Sequence, residues 1–88
     1  MAAQVGRFKL LYFAAASSYT KKQSEELSAP LPISELFAVL EKKYPGIKAK
    51  VLESSAVTVN LEYVDLDEDS TVIKDGDEVG IIPPVSSG

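Results

Sequence analysis

ISELFAVLEKKYPG, residues 33–46, carries Ile33, Leu36, Phe37, Leu40 and Tyr44 at i, i+3, i+4, i+7 and i+11. That spacing lines apolar side chains along one side of an α-helix. Pro32 suits the first turn, where the missing N–H is not required. Glu35 stands near the start, and Lys42 and Lys43 near the end, each complementing the helix dipole. Pro45 and Gly46 then stop the helix. A helix with one apolar stripe must bury it against another element, so the flanking segments settle the architecture.

Upstream, RFKLLYF (residues 7–13) is aromatic and aliphatic with early polar alternation, and reads as a strand. AAASSYTKK (residues 14–22) reads as a short helix or loop. QSEELSAP (residues 23–30) reads as a returning strand whose exposed side carries Glu25 and Ser24. Downstream, IKAKVLESS is irregular or a short helix. AVTVNLEYV (residues 56–64) is β-branched, with a bend expected at Asn60. In KDGDEVGIIPP, Asp75 and Gly76 mark a tight turn, and Val79, Ile81 and Ile82 form a last strand that Pro83 ends. Two strands, a helix, then more strands is an α+β order, with one main helix packed across a mixed sheet. This is the layout of the ubiquitin-like β-grasp, in which the first and last strands lie side by side in the sheet centre. The chain is therefore expected to form one domain over residues 1–84 and a flexible C-terminal tail over residues 85–88.

Composition removes several functions. The 88 residues include no cysteine and no histidine, so the commonest nucleophile–base pairs and soft metal sites are missing. A formal charge of −4 argues against nucleic acid, whose binding needs a basic surface, and favours a partner with a basic face. No apolar run is long enough to span a membrane, and the absence of cysteine suits a reducing compartment, here taken as the cytosol. Residues 1–23 lack acids, as a transit peptide would, but the segment holds a single arginine and the fold needs its apolar residues for a strand. The acidic run Asp65, Asp67, Glu68 and Asp69 does not make a calcium loop: Ser70 and Gly76 stand where glycine and glutamate would be needed. It reads as a solvated loop. No phosphate-binding GxxxxGK[ST] pattern occurs.

The end of the chain is the candidate site. Pro83 and Pro84 fix φ and offer no N–H, so they favour an extended exit from the sheet. Val85, Ser86, Ser87 and Gly88 follow; fully extended, they reach about 13 Å, enough to enter a partner's active site. A terminal glycine puts no Cβ beside the reacting carbon. Its carboxylate is an anion at neutral pH and a poor electrophile, so any chemistry at Gly88 must begin by activating it.

LLYFAAASSYT, ISELFAVLEKKYPG and VTVNLEYVDLDEDSTVIKDGDEVGIIPPVSSG together resemble the small subunits of molybdopterin synthases, a family of β-grasp sulfur carriers. The diproline followed by a small-residue tail is the selective part. The resemblance implies that Gly88 is adenylated by an activating enzyme using ATP and converted to a C-terminal thiocarboxylate. The tail (Pro83, Pro84, Val85, Ser86, Ser87) then inserts into the large synthase subunit, which holds the catalytic residues. There sulfur passes twice to cyclic pyranopterin monophosphate, building the dithiolene of molybdopterin. The resemblance further implies a heterotetramer, no permanently bound cofactor and no metal. Ile81, Ile82 and Val85 are expected to be partly exposed and to form the partner interface. The family's tail usually ends in two glycines; here Ser87 takes the penultimate place. A carrier for thiamine or tRNA thiolation, or a β-grasp interaction module, would share the fold.

Overall fold

The computed structural model describes residues 6–65 and 71–84. Its elements, in chain order, are β1 (Gly6–Tyr12), α1 (Ala15–Thr20), β2 (Ser24–Ala29), β3 (Leu31–Pro32), a 3-10 turn (Ile33–Glu35), α2 (Leu36–Lys43), α3 (Ile47–Lys50), a second 3-10 turn (Leu52–Ser54), β4 (Ala56–Val59), β5 (Glu62–Val64), β6 (Val72–Ile73) and β7 (Glu78–Ile82). Five strands form a mixed sheet in the order β2-β1-β7-β4-β5, and β3 pairs with β6 beside it. The first and last strands are parallel neighbours, with Leu10 opposite Val79 and Tyr12 opposite Ile81. Antiparallel β2 and β4 flank them. This is the expected β-grasp.

Strand alternation explains the core. Phe8, Leu10 and Tyr12 of β1 and Val79 and Ile81 of β7 turn to one side and are buried. They meet Ile33, Leu36 and Leu40 of the helical stripe, closed by Ile47, Leu52 and Ile73. Phe37 and Tyr44, the other two stripe positions, are half-buried at its margin.

Three local expectations are corrected. Pro32 is not in the first helical turn: it ends β3 with extended backbone (φ −60°, ψ 137°) and immediately precedes the 3-10 turn. Ile81 is wholly buried in the core, not partly exposed, because in β7 it shares the inward parity of Val79. Glu25 does not lie on an exposed surface; its side chain is 9% exposed, drawn in by four hydrogen-bonding partners described below. The bend expected at Asn60 is present, and both Asn60 (φ 52°) and Leu61 (φ 72°) adopt the left-handed conformation of a tight hairpin turn. Asp67, Glu68 and Asp69 of the acidic run lie outside the described residues.

Candidate functional site

The candidate site has two parts: the end of β7, from which the chain leaves the sheet, and the open face of the sheet beside it. At the exit, the Phe13 N–H donates to the Ile81 carbonyl at 3.2 Å, just past the end of β1. Ile82 pairs with Ala56 of β4. Pro83 is buried and Pro84 exposed, so Pro83 belongs to the body of the fold and Pro84 marks its surface. Neither ring can donate to a ladder, which ends the strand there. Val85, Ser86, Ser87 and Gly88 lie outside the described residues.

On the face of the sheet away from α2, the residues of opposite parity form a groove of about 230 Å³ lined by Leu11, Phe13, Thr58, Leu61, Tyr63, Glu78, Gly80 and Ile82. Gly80 is its floor. A Cβ built there would sit 2.7 Å from Thr58 Oγ1 and 3.5 Å from Phe13 Cε2, so the absence of a side chain lets Thr58 and Phe13 close over the strand. The rim is apolar and solvated: Phe13 is 45% exposed, Tyr63 74% and Leu61 86%. Leu61 is the least expected of these, since a bulky residue in the left-handed region is strained and its side chain gains almost no burial in return.

A carboxylate anchors the exit end from behind. Glu25 Oε2 accepts the hydroxyls of Tyr12 and, at 2.7 Å, Tyr44. Its Oε1 lies 3.2 Å from Lys43 Nζ and 3.5 Å from Lys22 Nζ. Burial by itself raises the Glu25 carboxyl, but the hydrogen bonds from Tyr12, Tyr44 and Lys43, with the Lys43 charge, outweigh it and hold it at about 2. Burial, then the Glu25 hydrogen bond and charge, push the Tyr12 hydroxyl far above the ordinary phenol range. The Tyr12 and Tyr44 rings meet edge to face, their centroids 6.4 Å apart. This clasp ties β1, β2 and the end of α2 together, and so fixes the strand whose last residues flank the exit.

Of the residues that sequence reasoning selected, Ile82 lines the groove and Pro83 and Pro84 form the exit, while the Ile81 side chain reaches neither. Leu11, Phe13, Thr58, Leu61, Tyr63 and Gly80 were not selected. A signal existed for three of them. In residues 7–13 the odd positions turn polar to apolar at Leu11 and Phe13, which extends an apolar stripe along the face opposite the core. Leu61, directly after the turn residue Asn60, is a second such signal.

The ThiS family matches residues 10–88. The chain is 58% identical to the molybdopterin synthase sulfur carrier subunit of Phaeosphaeria nodorum, over 98% of this chain and 95% of the relative. It is 59% identical to the protein of the same name from Pyrenophora tritici-repentis, over the same shares. Among solved structures it is similar to the complex of subunits 1 and 2 of molybdopterin-converting factor from Helicobacter pylori, with a TM-score of 0.66 and 27% identity, covering 93% of this chain and 99% of that one.

Proposed function

This chain belongs to the ThiS family, and from that premise we propose that it is the sulfur-carrier subunit of a molybdopterin synthase. The observation that carries the reading is its near full-length likeness to proteins of that name. Three features of the fold support it. The parallel β1–β7 pair lies in the interior of the five-stranded sheet, so β7 ends between two neighbouring strands. Pro83 and Pro84 stop the ladder at the surface. The apolar groove beside the exit offers a second subunit a surface to bury, as large exposed apolar patches commonly do.

In this reading Gly88 is the reacting residue. Its carboxylate attacks the α-phosphorus of ATP on an activating enzyme and releases pyrophosphate. A sulfur donor then displaces AMP to leave a thiocarboxylate. Residues 85–88 enter the large subunit, whose residues do the catalysis. Sulfur passes there to cyclic pyranopterin monophosphate, and water restores the Gly88 carboxylate; two such deliveries complete the dithiolene. The small chain is a delivered reagent, consistent with a sequence that has no histidine or cysteine. Ser87 leaves Gly88 itself free of a Cβ and adds only a hydroxymethyl group one residue back. A cytosolic location and an assembly of two small and two large subunits belong to the same reading. Among the described residues, no helix is long and apolar enough to cross a membrane.

The test is intact mass after incubation with the activating enzyme, ATP and a sulfur donor. Replacement of one oxygen by sulfur, localised to the peptide ending at Gly88, is expected. Localisation matters because oxidation of Met1 changes the mass almost equally. An unmodified Gly88, beside a control carrier modified in the same mixture, refutes the proposal.

A further inference from the structure

The chain has a formal charge of −4, yet six of its nine cationic side chains fall in two short segments: Lys21 and Lys22 in residues 20–25, and Lys42, Lys43, Lys48 and Lys50 in residues 41–50. All six are exposed. The fold brings the segments together. Lys22 and Lys43 converge on the same oxygen of Glu25, and Glu41 binds the end of α2 to the start of α3 by accepting from the Gly46 and Lys48 N–H groups at 2.8 and 2.9 Å. Both carboxylates of these segments therefore already serve internal contacts. The exposed acids nearest in sequence are Glu26, directly after the first segment, and Glu53, just beyond α3.

The position of the cluster is what gives it meaning. Glu25 is bonded to Tyr12, the residue opposite Ile81. From Lys50 the chain needs six residues to reach Ala56, which pairs with Ile82. Lys22 and Lys43 thus stand beside the end of the β1–β7 pair, with Lys21 and Lys42 next to them in the chain, while Asp75, Asp77 and Glu78 stand at the beginning of β7 together with Lys74 and, opposite Glu78, Lys9. Charges of both signs are mixed at the beginning of the last strand, whereas the tail leaves from the end where Lys22 and Lys43 stand. Lysines are strongly hydrated point charges on flexible stems, better suited to long-range attraction than to a fitted small-molecule site. A nucleic acid is disfavoured as the occupant because its extended phosphate charge would also meet the acidic remainder of the chain. A protein that approaches this end alone meets the lysines first.

We propose that the lysine cluster is an electrostatic docking surface for an acidic rim on the second synthase subunit, around the opening that receives residues 85–88. The inference rests on the sulfur-carrier reading and adds how the tail is aimed: attraction at the lysines orients the chain before the groove makes contact.

The test is the rate of association of the full chain with the purified second subunit, followed by stopped flow over a salt series. The variant combines Lys21→Glu, Lys42→Glu, Lys48→Glu and Lys50→Glu, leaving Lys22 and Lys43 on Glu25. At low salt its association rate is expected to fall tenfold or more. In about 1 M salt, where the screening length is about 3 Å, it converges on the wild-type rate. Dissociation is expected to change little. The glutamine set at the same four positions, which carries less risk to folding, shifts the rate in the same direction by less. Equal or faster association of either folded variant at low salt overturns the docking surface alone. Failure of the wild-type chain to bind the second subunit at any salt overturns the sulfur-carrier reading, and this inference falls with it.

Discussion

Replacing Gly80 with alanine tests whether the groove owes its shape to a missing side chain. The new Cβ would lie 2.7 Å from Thr58 Oγ1, well inside van der Waals contact, while Phe13 Cε2 at 3.5 Å and Ile82 Cγ1 at 4.0 Å are acceptable neighbours. Only Thr58 must move. It is β-branched, on β4, and buried at 8% exposure, so it has few rotamers to escape into. Forcing one methyl into such a site costs about 1–3 kcal/mol. The reduced freedom of alanine in the unfolded chain returns about 0.4–1 kcal/mol. A net loss of about 1–2 kcal/mol is expected, and a domain of this size loses about 4–8 °C in Tm for each kcal/mol. The decisive comparison is a double-mutant cycle with Thr58→Ala, which removes the clashing oxygen. Gly80→Ala should become neutral or mildly stabilising in the Thr58→Ala background, a coupling of about 1 kcal/mol or more. Thermal and urea unfolding of the four proteins measures it. If the two substitutions add to within about 0.5 kcal/mol, the close approach of Thr58 does not determine the groove floor and the reasoning is wrong.

The Glu25 clasp predicts a pH dependence. Its folded-state carboxyl, held at about 2, lies below the ordinary value, so the unfolded chain binds the extra proton. The contribution is complete above the ordinary carboxylate range and disappears as pH falls through the folded value. Glu25→Gln should cost about 2 kcal/mol at neutral pH, allowing for solvent screening of the lysine contacts, and flatten the stability profile between about pH 4.5 and 2. An unchanged profile from denaturant titrations across that window would count against the clasp. Leu61→Gly predicts effects of opposite sign on folding and binding. It relieves a left-handed leucine, leaving the free chain as stable or about 0.5 kcal/mol more so after the entropy of glycine is counted. It also removes an apolar side chain that burial in a partner would reward by about 1.5–3 kcal/mol, which calorimetric titration with the second subunit would register as binding at least tenfold weaker. Destabilisation of the free chain, or unchanged binding, would refute the role assigned to the groove rim.

Periodicity made much of this legible before any coordinates. The stripe Ile33, Leu36, Phe37, Leu40 and Tyr44 names the helix and its buried side, because a helix repeats every 3.6 residues and its neighbours along the chain are its neighbours in space. The strands at residues 7–13 and 78–82 follow from composition and turn residues in the same way. Pairing between distant strands is not written in any local window. Ile81 and Ile82 look alike as residues, yet one is wholly buried and the other lines the groove, because register against β1 and β4 sets which parity faces α2. Glu25 shows the same limit. As a charged residue on a weak strand it reads as solvent-facing, and it is held inside only because Tyr12 of β1, Lys22 of the loop before β2, and Lys43 and Tyr44 at the end of α2 converge on it.

The sequence by itself therefore determined the order of the main elements, the helix and its apolar face, and the diproline stop. All of these rest on local conformational preference and short-range spacing. Only the tertiary structure decided that Gly80 floors an apolar groove, that Leu61 and Tyr63 form its rim, and that Lys22 and Lys43 meet on Glu25 beside the strand that flanks the exit. Those arrangements are made by contacts between segments far apart in the chain, and their geometry exists only once the sheet has closed around the buried face of the helix.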